Sequence, residues 1–214
     1  MAIPMLLQVA SASQALPIVA VAMLRGRPTP APYLRIGLWC CLLLLSDATD
    51  LYITSRHISN LWTGYYTVPM EVGMTLWILS AWQPEGAPRR AYILGIAATG
   101  AAIGSTLLLT DPQQTFDVWV SPLAALVAFS AVLHTLVTRT LRSREALVHL
   151  DWFWICLGMA VFWVVQISTP ALMTAFMDTH RELVIRVLLV RSAIAIAGYV
   201  CIAWGVVCLQ VPPR

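Results

Sequence analysis

Seven apolar stretches fill almost the whole chain, at residues 3–24, 34–54, 61–82, 91–110, 118–138, 150–174 and 183–209. A helix of about 20 apolar residues crosses the hydrocarbon core of a bilayer. Inside that core every backbone polar group must be satisfied within the protein, which an α-helix does along its own length. The pattern therefore predicts an all-α integral membrane protein, a single seven-transmembrane-helix bundle over residues 1–214.

Composition agrees with that reading. Of 214 residues, 59% are hydrophobic and 11% charged, whereas soluble domains carry about a quarter charged residues. The connections are too short to hold a soluble domain. The net charge of +3 comes from arginines in those connections, so it reads as a topology signal and gives no nucleic-acid surface. Lysine is absent, and all 13 basic residues are arginine. A retinal-type Schiff base needs a lysine amine, so rhodopsin-like photochemistry is excluded.

Orientation follows from the arginines. The first, third and fifth connections hold Arg25, Arg27, Arg35, Arg89, Arg90, Arg139, Arg142 and Arg144, and the alternate connections hold Arg56 and Arg181. Positive charge stays on the cytoplasmic side, which predicts an outside N-terminus and a cytoplasmic C-terminus in the cell inner membrane. Ala10-Ser11-Ala12 imitates a signal-peptide cleavage site, but basic residues follow the first apolar stretch instead of preceding it. That stretch is read as a retained helix. All five cysteines fall in cytoplasmic halves of helices, where buried small side chains are expected and disulfides are not.

Local features shape the predicted helices. Gly100 and Gly104 in the fourth stretch, and Gly198, Cys201 and Gly205 in the seventh, have the spacing of close helix–helix seams within the bundle. Pro17, Pro69 and Pro170 interrupt the first, third and sixth stretches, each freeing a carbonyl about one turn earlier.

Charges deep in the apolar stretches mark the candidate site, because an intramembrane charge is costly and needs a reason. Asp47 and Asp50 lie in the second stretch, Glu71 in the third, and Arg186 and Arg191 in the seventh. A rise of 1.5 Å per residue places Glu71 about 15 Å and Arg191 about 12 Å below the outer boundary. Asp47, Asp50, Gln166, Gln8 and Gln14 fall in the same half. Asp47, Asp50 and Thr54 share one helix face. Arg186 and Arg191 are about 140° apart around their helix, so they cannot both face one site. Arg191 is expected to pair with Glu71 or Asp47, and Arg186 to reach the headgroup region. Such a pair could serve only to fix helix register, but three carboxylates exceed what one arginine needs.

Asn60-Leu-Trp62-Thr-Gly-Tyr65-Tyr66-Thr-Val-Pro69-Met-Glu71 is the densest local signal. Its first aromatics suit an interfacial belt, while the proline and glutamate lie one to two turns deeper. Trp62 and Tyr66 join the candidate residues on this ground. Trp152, Phe153, Trp154, Phe162 and Trp163 read as belt and core. His57, His134, His149 and His180 share no helix at ligand spacing, so neither a metal nor another cofactor is expected.

Two resemblances arise from these residues. Asn60-x-Trp62, Tyr65 and Pro69-x-Glu71, followed by Asp151-Trp-Phe-Trp, Tyr199 and Trp204-Gly205, resemble a widespread family of small, uncharacterised bacterial seven-helix membrane proteins. The likeness spans most of the chain. Some relatives accompany two-component histidine kinases, which implies a sensory role and a signalling partner protein. Locally, Asp50, Trp62 and Pro69-x-Glu71 are similar to the motif of membrane-embedded lycopene cyclases, which would make Asp50 and Glu71 acids that protonate an alkene. Those enzymes repeat the motif. This chain does not, and its arginines would disfavour a carbocation.

The sequence thus predicts a polar pocket in the outer half of the bundle. It is expected to bind a small apolar or amphipathic molecule or a membrane lipid, and to act with a partner. A carotenoid-cyclase-like enzyme and a small-solute transporter are the alternatives, although no internal repeat of the transporter kind is visible.

Overall fold

The computed structural model describes residues 5–24, 29–56, 63–109, 120–176 and 181–208. Eight α-helices form it: α1 (Met5–Ser13), α2 (Ala15–Ala22), α3 (Ala31–Ser55), α4 (Gly64–Ser80), α5 (Ala87–Leu109), α6 (Val120–Arg142), α7 (Asp151–Phe176) and α8 (Arg181–Cys208). A short 3₁₀ turn, Leu147–His149, precedes α7, and no strand occurs among the described residues. Within the described residues each apolar stretch falls largely on helix, the first being divided into α1 and α2. Four segments are long and apolar enough to cross a membrane: α3, Ser121–Arg142, Asp151–Ser168 and Glu182–Cys208. The chain is therefore a helical membrane protein.

The prolines act differently at their three positions. In an unbroken first helix, the ring of Pro17 would meet the carbonyl of Ser13. The chain instead ends α1 at Ser13, turns at Gln14 with its N–H donating to the Ser11 carbonyl at 3.3 Å, and restarts as α2. Pro69 lies inside α4, which continues through it. α7 likewise runs through position 170. Pro32 sits in the first turn of α3, where its missing N–H costs nothing.

α7 packs along α8, with α1 and α2 on the other side of α8, then α3, α4 and α6 in turn back to α7; α5 packs against α4. The core is apolar and aromatic, with Ile36, Trp39, Val72, Leu79, Ile155, Met159, Trp163, Ile202 and Val206 fully buried. Leu38, Leu45, Leu94, Leu123, Val190 and Trp204 point outward, as suits helices whose solvent is lipid.

Backbone contact explains the α7–α8 seam. A Cβ on Gly205 would lie 2.6 Å from the carbonyl oxygen of Asp151, and one on Gly198 would lie 3.0 Å from that of Gly158. The expected seam at Gly198 and Gly205 is thus present. At Gly100 no described residue lies within 4 Å of the Cβ direction, so that half of the expected Gly100–Gly104 seam is not seen. The surroundings of Gly104 lie outside the described residues. Spacing alone does not say which face of a helix meets a neighbour.

Arginine and tryptophan meet at one end of the bundle. Arg35 stacks 4.4 Å from the Trp77 ring and donates to the Trp77 carbonyl at 2.6 Å. Arg139 lies between the rings of Trp82, at 6.0 Å, and Trp152, at 5.0 Å. Nearby, the Gln83 amide donates to Thr135 Oγ1 at 3.0 Å, and Tyr92 Oη meets Thr135 Oγ1 and His134 Nδ1, both at 2.9 Å. These bonds tie the α4–α5 connection, α5 and α6 together at the end that also carries Arg89, Arg142 and Arg144.

Candidate functional site: a carboxylate-walled cavity

The opposite end of the bundle holds a half-open cavity of about 550 Å³ between α1, α3, α4, α7 and α8. Its wall includes Gln8, Gln14, Asp47, Asp50, Glu71, Gln166 and Arg191. Five of the eight candidate residues, Asp47, Asp50, Glu71, Gln166 and Arg191, therefore share one space. Tyr66 lies beside it, in a second cavity of about 230 Å³ between α3 and α4. Arg186 is exposed and belongs to neither wall. Trp62 lies outside the described residues, as do Arg25, Arg27, His57, Asn60 and His180.

The break at Gln14 builds one side of the site. It brings two donors from the first stretch to a single oxygen of Asp47: Ser11 Oγ donates to Oδ2 at 2.6 Å, and Gln14 Nε2 donates to the same oxygen at 2.9 Å. Hydrogen bonds to a carboxylate are among the stronger ones. Asp50, one turn further along α3, accepts from the Thr63 hydroxyl at the start of α4. Glu71 follows Pro69 on α4 and is only 6% exposed.

Arg191 does not form the ion pair expected of it. Its Nη2 donates to Gln166 Oε1 on the adjoining α7 at 3.1 Å. Among the described residues the ion pair within 4.0 Å is Arg89–Glu85, an exposed contact at 3.9 Å. The reason is local. α7 and α8 are in backbone contact, so Gln166 is the near acceptor, and Asp47 is already served by α1 and its break. Arg191 faces the carboxylates across the cavity.

Three buried acceptor atoms on this wall receive no hydrogen bond from the described residues: Gln14 Oε1, Asp50 Oδ1 and Glu71 Oε2. Buried polar atoms are almost always paired, so such a group of orphans is informative. Two hydroxyls on the wall, those of Ser11 and Ser192, are engaged. Ser11 donates to Asp47, and Ser192 Oγ donates to the Leu188 carbonyl at 2.8 Å.

An aromatic layer underlies the cavity. Phe162 meets Trp39 and Trp163 edge-on at 5.3 and 5.1 Å and lies tilted against Tyr199 at 6.0 Å. Trp163 Nε1 donates to Thr75 Oγ1 at 3.2 Å, fastening α7 to α4. All four rings are buried. Compared with protein-family models, with curated proteins and with solved structures, the chain matches none.

This geometry can hold a molecule, offer it acceptors, and donate or take a proton through three carboxyl groups. Sequence reasoning missed Ser11, which it read as part of a cleavage-like triplet, and Ser192. Gln14 was expected in the same half as the carboxylates and lines the cavity with them, but its bond to Asp47 depends on the helix break. Pro17 three residues later was the usable signal for that break.

Proposed function

We propose that the chain is a seven-helix protein of the cell inner membrane that binds a small molecule or lipid in the outer half of the bundle. On this reading α1 and α2 together form the first span, and the arginine-rich end faces the cytoplasm. The observation that carries it is the cavity: three carboxyl groups, three glutamines and one guanidinium of the described residues converge on about 550 Å³, within the range of ordinary ligand pockets. The aromatic layer beneath favours retention over free passage through the bundle. A bound state would be passed to a signalling partner through the helices, because the cytoplasmic connections are short.

Untargeted mass spectrometry of molecules co-purifying with wild type and with Glu71→Gln tests this. A species retained by wild type and lost in the variant is expected. Identical profiles would make the buried polar groups a structural device.

One observation favours a second reading, a carotenoid-cyclase-like enzyme: Asp50 and Glu71 line both cavities. Arg191 on the same wall weighs against it, since a cation disfavours a nearby carbocation. Expression in a lycopene-producing host decides, and absence of a cyclised product ends that reading.

A further inference from the structure

The cavity is unbalanced in charge and in hydrogen bonding. Asp47, Asp50 and Glu71 face it with three carboxyl groups, and Arg191 supplies its one guanidinium among the described residues. The guanidinium already donates to Gln166. Every orphan buried atom on this wall is an acceptor: Gln14 Oε1, Asp50 Oδ1 and Glu71 Oε2. Gln14 and Glu71 are each 6% exposed, and both line the cavity. Among the described residues the orphaned atoms of the wall are thus acceptors, and its carboxyl groups outnumber its one guanidinium. The remaining orphan, the donor Trp39 Nε1, lies in the aromatic layer beneath.

The second cavity supplies a different environment. It shares Asp50 and Glu71 with the first, but it runs between Leu42, Leu45 and Met70 on the α3–α4 flank. Leu45 and Met70 are also exposed on the outer surface of the bundle. The two carboxyl groups thus stand where a polar chamber meets an apolar cleft open to the surrounding lipid.

From this juxtaposition we infer that the ligand is an amphiphilic primary amine. Its ammonium group donates to the orphan acceptors of Gln14, Asp50 and Glu71, and its apolar chain lies in the α3–α4 cleft. An ammonium carries three donors and no acceptor, which matches three acceptors without donors. The chain reaches the site sideways from the bilayer. This rests on the ligand-binding reading above and names its ligand class. The amine could be a free long-chain amine or an aminolipid headgroup, which offer the same chemistry.

The test uses the purified full chain in detergent. Thermal unfolding is followed with decylamine, decyltrimethylammonium, decanol and decanoate, each below its micelle concentration. Decylamine is expected to raise the midpoint saturably, by about 5–10 °C at a hundredfold excess over Kd. Decyltrimethylammonium has the same charge and chain but no N–H, and is expected to do little. Glu71→Gln and Asp50→Asn are each expected to abolish the decylamine shift, so one suffices should the other not fold.

An equal shift from decyltrimethylammonium or decanol overturns the inference, as does no shift with decylamine. A saturable, Glu71-dependent shift with decanol or decanoate alone would leave the pocket reading standing and remove the amine. Nanodiscs of phosphatidylcholine with and without phosphatidylethanolamine separate the two sources. Glu71-dependent protection by the aminolipid assigns a headgroup, and a decylamine response without it assigns a free amine.

Discussion

Gln14 Nε2 donates to Asp47 Oδ2 at 2.9 Å, joining a break in the first apolar stretch to the face of α3 that carries the candidate site. The bond exists because Pro17 prevents a continuous helix and leaves Gln14 at the turn. A proline that looks like a local defect in the sequence therefore positions a polar side chain of the cavity.

Loss of that bond should be measurable as stability. Gln14→Ala leaves Asp47 with Ser11 as its donor and is expected to cost about 1–2 kcal/mol, the upper range for interhelical hydrogen bonds in membrane proteins. Asp47→Asn keeps an acceptor oxygen and should cost less. Reversible unfolding in detergent or bicelles checks both, and the account requires the order Gln14→Ala worse than Asp47→Asn.

The glycines should divide sharply. Gly205→Ala places a methyl group against the Asp151 carbonyl, and overpacking of this kind costs about 1–3 kcal/mol. Gly100→Ala meets no described residue and is expected to be neutral or to stabilise by up to about 1 kcal/mol through helix propensity. Thermal midpoints of the two variants, compared side by side, provide the check.

Most of the architecture was legible in the sequence because its signals are long and one-dimensional. Hydropathy set the helix positions, and the depth of Asp47, Asp50, Glu71, Gln166 and Arg191 gathered them in one layer, which the cavity wall repeats. Partner choice was not legible. Arg191 donates to Gln166 rather than to a carboxylate, since α7 lies in backbone contact with α8 at Gly158 and Gly198. Gly100 faces away from the bundle because the rotation of a helix about its axis depends on neighbours that are distant in sequence.

The polar network at the other end supplies a control. Thr135→Val removes the hydroxyl that meets Gln83 and Tyr92, and leaving buried polar partners unpaired costs about 1–3 kcal/mol. Ligand retention should be unchanged in that variant, because none of these residues lines the cavity. Unfolding and co-purification, measured on one preparation, separate stability from binding.

Opening the aromatic layer should do the reverse of a conservative change. Trp163→Ala removes a buried ring and its bond to Thr75, with an expected loss of about 3–5 kcal/mol. Trp163→Phe keeps a ring and loses the hydrogen bond, about 1 kcal/mol. Midpoints spaced in that order, wild type highest and Trp163→Ala lowest, are the expected result.

The central claim is that the carboxylate-walled cavity holds a molecule. Electron cryomicroscopy of the full chain in native-lipid nanodiscs, wild type beside Glu71→Gln, tests it most directly. The account predicts non-protein density in the wild-type cavity, in contact with Asp50 and Glu71 and absent from the variant. A cavity that is empty in both, or filled identically in both, would contradict it.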